Sequence, residues 1–345
     1  MTPPLKPARG PESDARTMVF DNNRLALQLF GAHHGHLARI ERKLAIAIRA
    51  RGNEITLTGN DEAVALACRA LGELYGRLEK DLAVGNSEVD AALRMAEGGG
   101  GGNMKSVDPA PEVHTHKRHI SPRSLAQAAY MRAIDDFELV FGLGPAGTGK
   151  TYLAVAKAVE QLIRGGANRI ILSRPAVEAG EQLGFLPGGM REKVDPYLRP
   201  LYDALFDMMP SEQVARRLEN GEIEVAPLAF MRGRTLANAF VILDEAQNTT
   251  AVQMKMFLTR LGENAHMVVT GDLSQVDLPK GTRSGLRDAV EVLEGVSGVG
   301  VCHFSDNDVV RHPLVSKIVR AYDRVESRRH AAAPYEHKAG KNGKG

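Results

Sequence analysis

Residues 138–164 read ELVFGLGPAGTGKTYLAVAKAVEQLIR, and this stretch decides the fold of the larger part of the chain. An apolar strand, a glycine-rich turn and an amphipathic helix follow one another directly. The turn matches G-x-x-x-x-G-K-[ST], in which glycines let backbone N–H groups point inward at a polyphosphate. A chance glycine-rich turn would lack the flanking strand and helix, so we predict a phosphate-binding loop. The predicted loop consists of Gly144, Pro145, Ala146, Gly147, Thr148, Gly149, Lys150 and Thr151.

Two side chains of this loop have predicted roles in nucleotide binding. Lys150 should reach the β and γ phosphates, and the Thr151 hydroxyl should ligate Mg²⁺. The helix that begins near Lys150 adds the partial positive charge of its N-terminus. The guanine-selecting pattern N-K-x-D is absent from the chain. We therefore predict ATP with Mg²⁺ as the ligand.

A second apolar strand, residues 240–243, ends in the acidic pair Asp244-Glu245. Ligands gather at the carboxyl ends of strands in parallel sheets, so this pair is placed to meet the phosphate-binding loop. Asp244 is predicted to hold Mg²⁺, and Glu245 to polarise the water that attacks the γ phosphate. An apolar strand ending in Asp-Glu is commonplace by itself, but it lies 93 residues after Thr151 in an alternating α/β region.

Two glutamines are further candidates for nucleotide contacts. Gln275 follows a third apolar strand and is predicted to sense the γ phosphate; the alternative is an ordinary turn residue. Gln127 lies 17 residues before Gly144, where an amide could read adenine, and a solvent-facing glutamine is the alternative.

The segmentation of the chain predicts two modules. A Pro-rich, polar stretch covers residues 1–17, and five consecutive glycines at 98–102 open a predicted flexible linker that runs to residue 120. The linker separates a first module, residues 18–97, from a second module, residues 121–327. Strands and helices alternate in the second module, which predicts a parallel α/β sheet of the P-loop NTPase class. A basic tail occupies residues 328–345.

Composition excludes several classes of protein. The 345 residues carry a formal net charge of +2, which excludes a globally basic coat for nucleic acid. The tail from Arg328 has a net charge of +4, so the preceding residues sum to −2. There are two cysteines, which indicates a reducing compartment rather than a disulfide scaffold. No apolar run is long enough for a membrane span, and no secretory signal begins the chain, so we expect a cytoplasmic protein.

Five blocks in order resemble the PhoH-like protein family. They are GPAGTGKTYLAVAKAV, LSRPAVEAGEQLGFLPG, MRGRTLANAFVILDEAQN, VVTGDLSQVDLP and DVVRHPLV, and together they span roughly residues 144–315. The resemblance implies ATP binding by a core similar to half of a superfamily-one helicase, a RecA-like arrangement. Bacterial members of this shape are associated with RNA metabolism and with the YbeY-type endoribonuclease, so the resemblance implies RNA and that enzyme as partners.

The resemblance draws attention to two arginines as candidates for an arginine finger. Arg311 lies just before Pro313 and is the first choice, while Arg174 follows a strand edge and is the second. The alternative for each is that it caps or salt-bridges its own helix. A helicase motor closes ATP between two such cores, and this chain has residues for only one. We therefore predict a homo-oligomer, and a ring is one form it could take.

The first module has the element order strand, helix, helix, strand, strand, helix, which resembles a KH-type RNA-binding fold. In that fold a Gly-x-x-Gly loop clamps backbone phosphates, and here the loop from Gly31 to Gly35 is one residue longer. The alternative is a packing or oligomerisation module with a solvated basic face. The candidate RNA-contacting residues are His33, His34, Arg39, Arg42, Lys43, Arg49 and Arg51.

Three histidines lie in the predicted linker, at His114, His116 and His119. A metal site needs ligands on a fixed backbone with cysteine or carboxylate partners, so a flexible polar tract is the preferred interpretation of these residues.

The residues together favour an Mg²⁺-dependent ATPase that acts on or around RNA, with helicase-like remodelling as one form of that activity. The runner-up is a nucleotide-gated scaffold with slow turnover that docks an endoribonuclease. A small-molecule kinase is a weaker third, because the sequence shows no acceptor pocket or lid.

Overall fold

The first module folds as a small antiparallel sheet covered by helices. The computed structural model describes residues 15–98, 111–175, 190–279, 281–310, 314, 315 and 318. In the helix that begins at residue 190, side chains are described from residue 197 onwards. The predicted element order is confirmed, and one further helix follows it. The elements are β1 (Arg16–Val19), α1 (Asn23–Phe30), α2 (Gly35–Leu44), β2 (Ala47–Arg51), β3 (Glu54–Thr58), α3 (Asp61–Glu79) and α4 (Asn86–Gly98).

Local sequence explains where these helices begin. The side chain of Asn22 accepts hydrogen bonds from two backbone N–H groups at the start of α1, and Asn60 does the same for α3. The strands pair in the order β1-β3-β2, so β3 is central. Its Ile55 and Leu57 are fully buried against the helices, and its alternate residues face outward.

The helix α4 is an addition that the sequence analysis missed. Its residues Val89 and Leu93 belong to the first module's core. On its polar side Asp90 accepts two hydrogen bonds of 2.6 Å from Arg39. Asp90 also forms an ion pair of 3.0 Å with Lys43. The helix therefore fastens to α2 through both apolar burial and a clamp of charges.

The end of the predicted flexible linker is ordered, which corrects that expectation for its last residues. Strands β4 (Val113–His114) and β5 (His119–Ile120) form a two-stranded antiparallel ribbon. Val113 and Ile120 are buried in the core of the second module, and this burial holds so short a ribbon in place. Residues 99–110, which include most of the glycine run, lie outside the described residues, so the module boundary stays a prediction.

The second module is a parallel α/β fold, as predicted. Its elements are α5 (Leu125–Asp136), β6 (Leu139–Leu143), α6 (Lys150–Arg164), β7 (Arg169–Arg174), α7 (Met190–Met208), α8 (Ser211–Glu219), β8 (Ile223–Pro227), β9 (Ala239–Leu243), α9 (Ala251–Leu258), β10 (His266–Gly271), α10 (Gly285–Leu293) and β11 (Val299–His303).

The sheet of the second module has the order β11-β6-β10-β9-β7-β8, and all its pairs are parallel. Alternate residues of each strand enter two separate cores, one under α5, α6 and α7 and the other under α9 and α10. Burial on both faces explains why the strands read as continuous apolar runs. Because every strand runs the same way, the residues after β6, β7, β9 and β10 meet at one edge.

Within the described part of the chain, no helix has the length and apolar character that a membrane span requires. Both cysteines, Cys68 and Cys302, are free thiols.

Candidate functional site

The loop between β6 and α6 adopts backbone conformations that require glycine. Gly147 has a φ of 83° and Gly149 a φ of 86°, both in the left-handed region. A Cβ on Gly149 would lie 3.1 Å from the amide nitrogen of Gln127. A Cβ on Gly144 would lie 2.5 Å from the carbonyl oxygen of Phe304, closer than real atoms approach. The glycines of the motif are therefore fixed by both φ and space.

The ammonium of Lys150 lies inside this loop. It donates hydrogen bonds of 2.6 Å to the carbonyl oxygen of Gly144 and 2.8 Å to that of Pro145, and it lies 3.4 Å from the hydroxyl of Thr148. Lys150 is buried, so its charge is little screened by water. The loop thus encloses one full positive charge at the N-terminus of α6.

A hydroxyl and a carboxylate from different elements meet directly beside the loop. Thr151 donates a hydrogen bond of 2.6 Å to Oδ1 of Asp244, and Thr270 donates one of 2.8 Å to the same oxygen. Asp244 is buried at the end of β9, and Thr270 lies near the end of β10, which runs between β6 and β9. Hydroxyl and carboxylate oxygens are the donors that Mg²⁺ prefers, so Thr151 and Asp244 fit the predicted metal.

Glu245 follows the buried Asp244 and lines a cavity next to the phosphate-binding loop. Its φ of 52° is in the left-handed region, an uncommon conformation for a glutamate and one found at functional sites. The amide of Gln247 donates a 2.5 Å hydrogen bond to Oε2, and Arg174 approaches Oε1 at 3.6 Å. The side chain is partly exposed, so its carboxylate is accessible to water.

Arg174 belongs to the site of its own chain. Besides its ion pair with Glu245, its guanidinium donates a 3.2 Å hydrogen bond to the carbonyl oxygen of Tyr197. The other finger candidate, Arg311, lies outside the described residues. Val310, the residue before it, donates its backbone N–H to the carbonyl oxygen of Gly147 at 2.9 Å.

Gln275 is held at the site by Asp272. Its amide donates a 2.9 Å hydrogen bond to one oxygen of Asp272, and Ser274 donates to the other oxygen through both its hydroxyl and its backbone N–H. The backbone N–H of Asp272 in turn donates to the side chain of Gln247 at 3.1 Å. Asp272 therefore links the segment that carries Gln275 to the segment that carries Glu245.

Two adjoining cavities surround the loop. The carboxylate cavity, of about 220 Å³, is bounded by Lys150, Thr151 and Asp244 among others. The interdomain cavity, of about 530 Å³, lies between the loop and helices α3 and α4 of the first module. The residues common to both linings are Gly147, Gly149 and Tyr152, so a ligand of nucleotide length could pass from one cavity to the other.

Gln127 lines the interdomain cavity and is 4% exposed, so it is not a solvent-facing glutamine. Its amide group accepts a 2.7 Å hydrogen bond from the backbone N–H of Arg123 and donates one of 2.8 Å to the carbonyl oxygen of Thr148. Gln127 thus braces the loop in this structure. Nearby, burial and the hydrogen bond to Asp207 raise the pKa of the Tyr152 phenol to about 12, which keeps it a neutral donor.

The candidate RNA-contacting residues of the first module differ in whether their charges are already paired. Arg39 and Lys43 pair with Asp90, and their charges are therefore already compensated within the module. Arg42 donates to the carbonyl oxygen of its own helix, at Ala38. The remaining candidates are exposed: His33 and His34, in the left-handed turn after Gly31, and Arg49 and Arg51 on the edge strand β2.

Sequence reasoning gave no role to several residues that hold the site together. Thr270 and Asp272 flank a glycine at the end of β10, and only the strand order places them beside β9. Tyr152 and Asp207 were missed as well, because Asp207 comes from the end of α7. The chemical repertoire of the site is clear: one enclosed ammonium, two oxygen donors for a hard cation, and a partly exposed carboxylate.

The chain is similar in sequence to known proteins over most of its length. A family model described as "PhoH-like protein" matches residues 119–323. The chain is 51% identical over 300 residues to a PhoH-like protein of Bacillus subtilis (strain 168), covering 87% of this chain and 94% of that protein. It is 50% identical over 319 residues to a PhoH-like protein of Mycobacterium bovis, covering 92% of this chain and 91% of that protein.

Among solved structures, the chain is similar to the SWI2/SNF2 ATPase core of Sulfolobus solfataricus in complex with dsDNA. The two share 13% identity with a TM-score of 0.34, covering 60% of this chain and 49% of that chain. This likeness is distant and carries no argument about function.

The hydrogen bond from Thr270 to Asp244 gives a test of the site's construction. We expect Thr270→Val to lower the free energy of unfolding by about 1.5–3 kcal/mol, because a buried carboxylate loses a hydroxyl donor. Thr270→Ser keeps the donor and should retain most of the stability. Urea unfolding followed by circular dichroism measures both. A loss in Thr270→Ser with none in Thr270→Val, which keeps the γ-methyl group, would show that packing of that methyl group, rather than the hydrogen bond, is responsible.

Proposed function

The chain belongs to the PhoH-like protein family, and from that premise we propose that it is an Mg²⁺-dependent ATPase acting on RNA. The observation that carries the ATPase proposal is the contact between Thr151 and Asp244, 2.6 Å long across 93 positions of sequence. It joins the phosphate-binding loop to the acidic strand. The groups proposed to bind phosphate and those proposed to bind Mg²⁺ are therefore adjacent.

The two cavities suggest how ATP would lie. The triphosphate fits the carboxylate cavity, where Lys150 supplies positive charge and the backbone of Gly147 and Gly149 supplies N–H groups. The adenosine fits the interdomain cavity, which Gln127 and Tyr152 line. On binding ATP, the ammonium of Lys150 would exchange the carbonyl oxygens of the loop for phosphate oxygens.

Thr151 and Asp244 would hold Mg²⁺, which neutralises charge on the β and γ phosphates when bound. Glu245 orients a water molecule and accepts its proton as the water oxygen forms a bond to the γ phosphorus. The bond from that phosphorus to the bridging oxygen breaks, and ADP and inorganic phosphate are released. Gln247 and Arg174 position the Glu245 carboxylate, and Gln275 is within the same cavity to contact the γ phosphate.

Substitution of the loop lysine and of the glutamate should separate binding from hydrolysis. We expect Lys150→Ala to weaken ATP binding at least about thirtyfold, because a buried charge partner is lost. Glu245→Gln should bind ATP normally while hydrolysis falls about 10²–10⁴-fold. The measurements are equilibrium binding of a fluorescent ATP analogue and release of inorganic phosphate, with Lys255→Ala on the exposed face of α9 as the control. Normal hydrolysis by Glu245→Gln would disprove the assignment of the base.

We propose that RNA contacts the exposed basic residues of the first module, His33, His34, Arg42, Arg49 and Arg51. Two facts support this choice. The module's element order resembles the KH fold, and Arg39 and Lys43 are already compensated by Asp90. The nearly neutral total charge of the chain means that RNA affinity must depend on such a local set.

Single-stranded RNA should therefore stimulate ATP hydrolysis through this surface. We expect the double variant Arg49→Ala/Arg51→Ala to weaken RNA binding and to lower the salt slope by about 1.4, since each phosphate contact contributes about 0.7 for a single strand. Arg24→Ala, an exposed arginine of α1 outside the proposed set, is the matched control. Fluorescence anisotropy over a salt series measures the slope. An unchanged slope in the double variant would exclude this surface.

We also propose that the active form is a homo-oligomer in which Arg311 reaches the γ phosphate of a neighbouring subunit. The chain has one P-loop core, and a helicase-type site needs a second core to complete it. Arg174, in contrast, pairs with Glu245 of its own chain and would act there.

Mixing inactive subunits tests this arrangement. A one-to-one mixture of Lys150→Ala and Arg311→Ala subunits should recover about a quarter of wild-type ATPase activity, because a quarter of interfaces then pair an intact loop with an intact finger. The same mixture made with Arg174→Ala should stay inactive. If the Arg311→Ala mixture stays inactive after subunit exchange, the finger does not come from a neighbour.

One observation favours the nucleotide-gated scaffold as a second candidate function. Helices α3 and α4 of the first module line the cavity proposed for adenosine. ATP bound there would touch both modules and could set how a YbeY-type endoribonuclease docks, a partner that we propose from the family resemblance. Nucleotide-dependent binding of such an enzyme without RNA-stimulated hydrolysis would select the scaffold, and stimulated hydrolysis would select the RNA-acting ATPase.

A further inference from the structure

The ribbon of β4 and β5 places three potential metal ligands on one side. Glu112 and His114 are two residues apart on an extended segment, so their side chains share a face. His114 pairs directly with His119 across the ribbon. Val113 and Ile120 form the other face and are buried in the core of the second module. The ligand face is therefore oriented by the burial of the opposite one.

The distances between these side chains are close to those of a metal site. Oε2 of Glu112 lies 3.2 Å from Nε2 of His119, and the rings of His114 and His119 have centroids 4.2 Å apart. One donor atom from each of the three residues lies within 4.8 Å of the other two. A tetrahedral zinc ion with bonds of about 2.0–2.1 Å holds its ligand atoms about 3.4 Å apart. Small side-chain rotations would bring the set to that spacing.

The ribbon is fixed at its turn as well as by its buried face. The backbone N–H of Lys117 donates to the carbonyl oxygen of Met208, and the Lys117 ammonium donates to that of Phe206. Arg118 forms a 2.6 Å ion pair with Asp207. These contacts tie the turn to the end of α7. The ligands therefore lie on a fixed backbone. The interpretation of this segment as a flexible tract is wrong for residues 112–120.

We propose that Glu112, His114 and His119 form a binding site for a divalent transition metal, with Zn²⁺ as the ion that fits the set. Two imidazoles and one carboxylate are a donor combination that zinc takes, with a fourth position filled by water. The set differs in chemistry from Thr151 and Asp244, whose oxygen donors suit Mg²⁺. Zinc should therefore enter the ribbon site even in excess magnesium.

Lys80, which directly follows α3, faces the carboxylate of Glu112. Its ammonium lies 3.7 Å from Oε2 of Glu112, and its side chain is 63% exposed. An exposed ion pair of this kind is weak, so a metal ion would displace the ammonium into water at little cost. Lys80 nevertheless puts a positive charge beside the proposed metal and should oppose its binding.

The direct test is metal binding by the full-length protein after treatment with a chelator. In buffer containing excess Mg²⁺, one equivalent of Zn²⁺ should bind in competition with a chromophoric chelator, and Co²⁺ should give the visible absorption of a tetrahedral site. We expect His114→Ala and Glu112→Gln each to weaken zinc binding at least about tenfold. The control is His116→Ala, which removes an exposed histidine of the same turn. Absence of stoichiometric binding, or equal losses in His116→Ala and His114→Ala, would overturn the proposal.

A charge variant gives a test that a folding defect cannot imitate. Lys80→Met should strengthen zinc binding about threefold, because it removes an ammonium that competes with the ion for the Glu112 carboxylate. The gain should vanish when Lys80→Met is combined with Glu112→Gln, which removes the ligand that the two cations share. Unchanged or weaker binding in Lys80→Met would contradict the proposed position of the metal. None of these measurements uses ATP, so the result is independent of the proposed ATPase function.

Discussion

The site depends on the order of the strands in the parallel sheet, and the hydrogen bond between Thr151 and Asp244 shows this dependence. These residues follow β6 and β9, and β10 lies between those strands. A loop and an acidic strand two positions apart can meet only because parallel strands end at a common edge, where Thr270 of the intervening strand supplies a second donor to the carboxylate. The same edge brings in Arg174 at the end of β7 and Asp272 after β10. The sheet order thus decides which polar groups share the cavity, and the apolar cores on its two faces keep that order fixed.

Sequence alone could predict the parts of this site that local chemistry determines. The left-handed conformations of Gly147 and Gly149 and the enclosed ammonium of Lys150 follow from residues within one short motif. The meeting of Thr151 with Asp244 could be predicted from two motifs together, because each follows a strand and parallel strands end at a common edge. The bond from Thr270 to Asp244 and the network around Asp272 could not be predicted in this way. They depend on which strand lies next to which, and periodicity indicates that a strand exists without saying what its neighbours are.

Two errors of the sequence analysis have different physical origins. The helix α4 does carry a signal, since Val89, Leu93 and Ala96 recur at helical spacing, but the adjacent glycine run drew attention to the linker instead. The ribbon carries almost no local signal, because each strand has two residues. Its order comes from the burial of Val113 and Ile120 in a core built by distant helices. A short polar segment can therefore be ordered wherever a few apolar residues reach a neighbouring core, and composition alone does not show it.

Polar bonds connect the two modules, and they bear on how the first module could respond to a ligand. The cores of the two modules are separate clusters. Between them, Arg77 donates 2.7 Å to the hydroxyl of Ser121, and Arg94 donates 3.1 Å to the carbonyl oxygen of Arg123. Each of these bonds has a charged donor and contributes about 1.5–3 kcal/mol net of the exchange with water. A ligand in the interdomain cavity would shift the first module only if its binding free energies to the docked and undocked states differ by a comparable amount.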